Sequence, residues 1–255
     1  MYNLNLLKNT AFKIAEEGEL LNYEVKCSIL TGKLMQLPSG EYLVARGREV
    51  IVHCEVNGGF GQAFTDSPRE FKGSVKGVLG FELDSDWKRA VFFATLNAIL
   101  HKLRLVDRTI HCVRDEPEKC GELMLQHLTS NFGLVKVAHI GYQPGHVKVL
   151  AEALRPENLY VTDLDYENIS KVKFGVKILD GELNDQVLRK VKVAYITGNA
   201  AVNNTLPQLL NLCREYGVKP IIYGVTGRGI SKLLNLEDFC PYGHNSLEEV
   251  FNRFW

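Results

Sequence analysis

The chain has 255 residues, with 30 Lys and Arg balanced by 30 Asp and Glu, and therefore no net charge. That balance excludes duplex nucleic acid as the main partner, because such binding rests on a basic surface. Hydrophobic residues at 45% and charged residues at 24% fit a globular chain with a real core, and no apolar run approaches the roughly 20 residues that cross a bilayer.

In chain order, NLLKNTAFKIAEEGELL (5–21) places Leu6, Leu7, Phe12, Ile14, Ala15 and Leu20 at helical spacing, with Gly18 ending the pattern. YEVKCSIL (23–30) alternates and predicts a strand. EYLVARGREVIVHCEV (41–56) predicts one or two more, with Gly47 at a turn or bulge, and NGGFGQAFTDSP (57–68) reads as a loop or bent strand. DSDWKRAVFFATLNAILHKL (84–103) opens on Asp and Ser at capping positions and continues as a helix too apolar to be anything but buried. Helix, strands and helix in this order predict an α+β unit over residues 1–110.

Across residues 106–118 the rhythm changes, and VRDEPEK is strongly polar. A helix is predicted over 115–133, then strands VKVAHIGY, NLYVTDLD, VKVAYITG and VKPIIYGV alternate with helices GHVKVLAEAL, DGELNDQVLRK and NNTLPQLLNLCREYG. GRGISKLL and NSLEEVFNRF close the chain as helices. Alternation of this kind predicts an α/β unit over residues 111–255 with a mainly parallel sheet, covered on both faces in three layers.

Ligands of open α/β sheets sit beyond the carboxyl ends of the strands. Four such ends, HIGYQPGH, VTDLDYENI, YITGNAAVNNT and IIYGVTGRG, are rich in Gly, Asn, Asp or Thr. Turn chemistry accounts for each one alone; together they predict a binding crevice. GYQPGH is not the dinucleotide fingerprint, so ordinary NAD binding is disfavoured. Asp163 nonetheless follows Gly141 by 163 − 141 = 22 positions, the offset of a ribose-binding acid. Asp163 and Asp165 point the same way on an extended chain. Facing each other at about 6.5 Å they repel by about 2.5 kcal/mol, which calls for a cation, a donor-rich ligand or a shared proton; Asp165 as a solvated helix cap is the alternative. Asn168 belongs to the same strand end. Thr197, Gly198, Asn203 and Thr205 stand where a strand hands over to a helix, either as an N-cap or as an anion pocket with Gly198 admitting the ligand. Thr65 and Asp66 are placed to face the crevice from the first unit.

The six cysteines are too sparse for a disulfide scaffold and are expected to be mostly reduced. No C-x-x-C pair signals a structural zinc site. Cys112 and Cys120, eight apart, and Cys240 with His244 are candidate metal ligands beside the reading of buried cysteines as small hydrophobes. His53 with Cys54, and His111 with Cys112, would diverge on a strand. Cys120 near a helix start would be favoured as thiolate. Tyr142, His146 and His244 are candidate acid–base groups. No G-x-S-x-G elbow, Walker loop or H-E-x-x-H occurs. The first twenty residues carry Asn3, Asn5, Lys8, Lys13, Glu16 and Glu17 where a signal peptide would be apolar, so a cytoplasmic protein is expected.

ITGNAAVNNTL resembles the Thr-Gly-Ser/Asn-x-x-Val-Asn-x-Thr signature of the uncharacterised "putative heavy-metal chelation" family. VAHIGYQP and VTDLDYENI resemble its preceding strand ends, and AVFFATLNAIL its Ala-x-x-Asn-Ala helix. The resemblance covers nearly the whole chain. It implies an enolase N-terminal-like domain joined to a Rossmann-like domain, with a cleft between them. Two functions follow as expectations. One is a binding protein holding a metal ion or an anionic metal complex on Asp163, Asp165, Thr197, Asn203 and Thr205. The other is a group-transfer enzyme holding a nucleoside-type cofactor near Asp163. No cofactor is named by the sequence beyond a metal ion as candidate. The expected partners are a small ligand or metal ion, with neither nucleic acid nor membrane. The apolar end FNRFW is suited to packing against a domain or a second copy in a homo-oligomer.

Overall fold

The computed structural model describes residue 2 and residues 4–252. Helix α1 (Leu4–Glu17) buries Leu7, Ala11 and Ala15 on one stripe. Strands β1 (Glu24–Leu30), β2 (Val50–Val56), β3 (Gly59–Thr65) and β4 (Phe71–Ser74) form an antiparallel sheet in the order β3-β2-β1-β4. Residues 41–49, expected to be strand, form turns: Ala45 and Arg46 N–H both donate to Tyr42 O, and Gly47 takes φ +71°. They pair with neither edge strand of this sheet, β3 or β4.

The stretch NGGFG is a tight hairpin and not a loop. Asn57 and Gly58 both take positive φ, +47° and +76°, as a two-residue turn with the twist of its strands requires. Helix α2 (Val75–Leu79) follows β4, and helix α3 (Asp86–Lys102) crosses the sheet with every residue from Arg89 to Leu100 buried. A Cβ on Gly61 would stand 2.2 Å from Ala94 O. The glycines of β3 therefore serve to bring the strand against bare helix backbone.

The rest of the chain runs α4 (Glu116–Phe132), β5 (Val137–Ile140), α5 (Pro144–Ala153), β6 (Leu159–Asp163), β7 (Val172–Lys173) and β8 (Val176–Asp180). It continues through α6 (Asn184–Leu188), β9 (Val193–Thr197), α7 (Leu206–Tyr216), β10 (Lys219–Tyr223), α8 (Arg228–Leu234), β11 (Glu237–Phe239) and α9 (Leu247–Asn252). Its strands form a seven-stranded sheet, β11-β10-β9-β5-β6-β8-β7, parallel except for the β7–β8 pair. The molecule is thus α/β with one antiparallel and one mainly parallel sheet. The β7–β8 hairpin and β11 escape the sequence pattern; the former turns on Phe174 and Gly175, φ +51° and +78°. The helix expected over DGELNDQVLRK is a short 3₁₀ turn and a five-residue helix.

Both faces of the parallel sheet are covered. Val137, Val161, Val193, Tyr195 and Ile221 pack with α4 and α5. Their neighbours Ala138, Ile140, Ala194, Ile196 and Ile222 join a core shared with α1, α3 and the first sheet. Asn97, fully buried on α3, pins this seam. Its Nδ2 donates to Gln62 O at 3.0 Å and Val225 O at 2.9 Å, and its Oδ1 accepts from Gly229 N–H at 2.7 Å. The C-terminal segment returns to the first half through an Ile110–His244 bridge, and α9 places Val250 against Met35, Tyr42 and Ile51. Cys27 and Cys54 lie opposite each other on β1 and β2 and are joined by a disulfide, which corrects the expectation of reduced thiols for this pair; the other four cysteines are free. Residues 253–255 of the FNRFW end lie outside the described residues. Among those described, no helix is long and apolar enough to cross a membrane.

Replacing Asn97 with Leu removes three buried hydrogen bonds and strands their partners, at about 1–3 kcal/mol per orphaned group. We expect Asn97→Leu to lose at least about 3 kcal/mol in urea denaturation. Thr95→Val on the same helix is the control, since the buried Thr95 hydroxyl has no partner to lose; it should be neutral or stabilising.

Candidate functional site

The chain runs from β5 to β6 and β8 on one side, then returns to place β9 on the other side of β5. The crevice of such a sheet opens where that order reverses. Gly141 ends β5 with φ +90°, and a Cβ there would lie 2.7 Å from Thr197 Cγ2 and 2.9 Å from Tyr223 Oη. Gly198, which ends β9, touches a second turn: its Cβ would meet Gly227 N at 2.3 Å. Gly198 thus packs two turns together, and its expected role of admitting a ligand is replaced by that contact. Beyond these tips lies a cavity of about 1140 Å³, walled by the ends of β5, β6, β9 and β10 on one side and by residues 42–49, Thr65 and Asp66 on the other.

The structure brings most of the predicted residues to this wall. Gly141, Asp163, Asp165, Thr197 and Gly198 line it, as do Asn203, Thr205, Thr65, Cys112 and Cys120. Asn168 does not; it is buried behind the wall and donates to Asp163 Oδ2 at 2.9 Å. Asp163 turns out to be a loop organiser. Its Oδ1 accepts from Leu164 and Asp165 N–H, and its Oδ2 from Tyr142 N–H and Asn168. A carboxylate offers about four such positions, so nothing remains for a metal ion or a ribose, and both expectations for Asp163 are corrected. Burial pushes its pKa up, and the four donors oppose that rise.

Asp165 keeps one oxygen unmatched. Oδ1 accepts from Glu167 N–H and faces Arg48, while Oδ2 is buried with no donor. The carboxylate missed by sequence reasoning is Glu49, whose Oε1 accepts from Asn199 Nδ2 at 2.7 Å. That bond leaves Asn199 Oδ1 buried without a donor. Burial raises the Glu49 pKa to about 7, and the charges of Asp163, Asp66 and Asp165 add to the rise. The anion pocket expected at 203–205 is corrected too: Asn203 Oδ1 accepts from Thr205 N–H and Oγ1–H, and the seven Asp and Glu residues that line the cavity disfavour an anion. Across the rim, Arg46 pairs with Glu167, Arg48 with Glu167 and Asp165, and Lys173 with Glu41.

The opposite wall is nitrogen and sulfur. Gly141 O can only accept, so His139 Nδ1, at 2.8 Å, carries a proton toward it. His139 Nε2 lies 3.2 Å from His146 Nδ1. Burial holds the pKa of His139 down to about 4 and that of His146 well below its ordinary value. Both rings are therefore neutral. His139 Nε2 then accepts from His146 Nδ1–H, and His146 Nε2 is left as a lone pair. The same logic applies to His111, whose Nδ1 donates to Cys112 O at 2.6 Å and whose pKa burial lowers to about 4. Cys112, Cys120 and Cys240 line this end and lie near enough for the charge of one to raise the pKa of another.

The expected divergence of His111 and Cys112 does not arise, because residues 111–113 form no strand. Cys120 sits in the second turn of α4, and burial raises its pKa, which replaces the expected thiolate with a thiol. Gly121 and Gly145 touch there: a Cβ on Gly121 would lie 2.4 Å from Gly145 O, which fixes the spacing of the neighbouring Cys120 and His146. His244 leaves the candidate set, since its Nε2 meets Glu116 Oε2 at 2.9 Å away from the cavity. His53 is a core residue bonded to Gln62. Tyr142 lines the cavity and its hydroxyl donates to Glu41. Among the described residues, no three His, Cys, Asp or Glu side chains are gathered for an ion by themselves.

A family profile described as "DUF364: Putative heavy-metal chelation" matches residues 125–232, which bears out the resemblance read from the sequence. No curated protein matches the chain. Two solved structures, both described as proteins of unknown function from the DUF364 family, do. One, from Pyrococcus horikoshii, is 17% identical over 90% of this chain and 81% of its own, with a TM-score of 0.53. The other, from Desulfitobacterium hafniense DCB-2, is 15% identical over 74% of this chain and 72% of its own, with a TM-score of 0.46. The first supports the fold.

Glu49 gives a measurable signature. Its raised pKa means that the folded state binds more protons than the unfolded state between about pH 4.5 and 7, so stability falls as pH rises through that window. We expect Glu49→Gln to exceed the native protein in stability at pH 8 by about 1–3 kcal/mol, with the gap closing toward pH 4.5 in urea titrations.

Proposed function

We propose that the chain binds a metal carried in a small organic complex, in the cavity between an N-terminal unit ending near residue 110 and the unit that follows. The observation that carries this reading is the pair of neutral imidazoles at His111 and His146. Each has its N–H committed, to a carbonyl or to His139, and each is left with an Nε2 lone pair at a wall shared with three thiols. Metal-binding histidines are oriented in the same way, by a partner on the other ring nitrogen. Thiol and imidazole donors suit zinc, copper, nickel or cobalt, in keeping with the family description of heavy-metal chelation.

Size and donor spacing favour a complex over a bare ion. The cavity, at about 1140 Å³, is at the upper end of ordinary ligand pockets and far larger than an ion needs. With no three His, Cys, Asp or Glu side chains gathered around one point among the described residues, the protein would complete the coordination of a metal already held by a chelator. The carboxylates Glu49, Asp66, Asp163 and Asp165 at the cavity favour a neutral or cationic complex over an anionic one. The nucleoside-cofactor alternative loses its anchor, because Asp163 has no acceptor position free.

Titration with Co²⁺, alone and as its nitrilotriacetate chelate, tests this. Sulfur ligation should give a near-ultraviolet thiolate-to-cobalt band that is stronger for the chelate, grows with pH as the thiols release protons, and weakens at least about tenfold in apparent affinity in Cys120→Ser and His146→Gln. No band with either cobalt form ends the proposal.

A further inference from the structure

The oxygen-lined wall is not explained by metal binding at the sulfur end. Asp165 has a side chain only 7% exposed, and its Oδ2 meets no donor. Asn199 is oriented by its gift of a hydrogen bond to Glu49, which leaves Oδ1 equally unmatched. Buried acceptors without donors are costly, and native structures rarely keep them for nothing. Two of them line one cavity beside a third acceptor, Glu49, which lies outside the ion-pair network of the rim. Arg48, the arginine on this wall, is engaged by Tyr166, Glu167 and Asp165 Oδ1.

The three acceptors come from separate segments: Glu49 precedes β2, Asp165 follows β6 and Asn199 follows β9. Acceptors brought to one cavity from three segments suit a group with several N–H vectors. We propose that this wall is a subsite for an organic cation, an ammonium or guanidinium group, donating to Asp165 Oδ2, Asn199 Oδ1 and Glu49. The subsite goes beyond the metal reading and does not depend on it. In a metal complex it would receive an amine or guanidine of the chelator, setting the carboxylate wall against the cationic end of the ligand.

Glu49 faces Asp66, Asp163, Asp165 and the Tyr223 hydroxyl from the elements packed around it, with Arg48 beside it in the chain. Because it titrates near 7, it must lose its proton to accept from a cation, and affinity should fall about tenfold from pH 8 to pH 6.

Thermal shift and calorimetry with 1,4-diaminobutane and arginine amide, at ionic strength matched with KCl, test the subsite. Both should give saturable stabilisation of the native protein with that pH dependence. Asp165→Asn should weaken apparent affinity about tenfold, and Glu49→Gln should do the same and flatten the pH profile. Equal responses in native protein and both variants, or no response at all, would overturn the proposal. So would saturable stabilisation by Mg²⁺ or Ca²⁺ that exceeds that of the amines. The cobalt band of native protein measured without amine reports on the metal reading alone, so the two proposals fail separately.

Discussion

A buried amide ties the two halves of the molecule together at the centre of their seam. Asn97 sits on a mostly apolar helix, and it satisfies a carbonyl of the first sheet, a carbonyl of the turn after β10 and an amide of α8. In a low-dielectric interior such bonds have no substitute in water, so displacing the sheets relative to each other would leave buried groups unpaired. Phe64 N–H donating to Thr226 Oγ1 at 3.2 Å repeats the connection one step nearer the cavity. The cavity exists because these contacts join the halves along one seam and leave the strand tips beyond it apart.

The walls of that cavity are chemically opposed. One presents neutral nitrogen and sulfur, kept uncharged by burial. The other presents carboxylates, of which one is left half-matched and another is poised near neutrality. Asp163 stands between the two roles: it lines the space yet spends itself on four backbone and amide donors, holding the β5 and β6 tips in place. A residue can be at a site and still belong to its scaffold.

The alternation of strands and helices after residue 115, the buried helix around Asn97 and the gathering of polar strand tips were legible in the sequence, because each rests on local periodicity or on the rule for open sheets. Glu49 was not. It lies in a stretch with strand-like alternation that forms turns instead and lines the cavity opposite the tips. The β7–β8 hairpin was hidden by charged residues in KVKFGVK and by a Phe at positive φ. The exhausted acceptors of Asp163, the fixed tautomers of His111 and His146, and the disulfide between Cys27 and Cys54 depend on the exact direction of side chains and backbone groups, which composition and spacing do not encode.

The glycine contact between α4 and α5 has a consequence for the two donors beside it. Cys120 and His146 are each one residue away from a point where two main chains touch without side chains between them. The gap between this thiol and this imidazole is therefore set by backbone against backbone, and interiors packed in that way resist compression and expansion alike. Rotamers can aim the donors, but the jaws themselves cannot widen. A metal bound as proposed above would meet a spacing set by rigid main chain, in the manner of a fixed-gauge calliper.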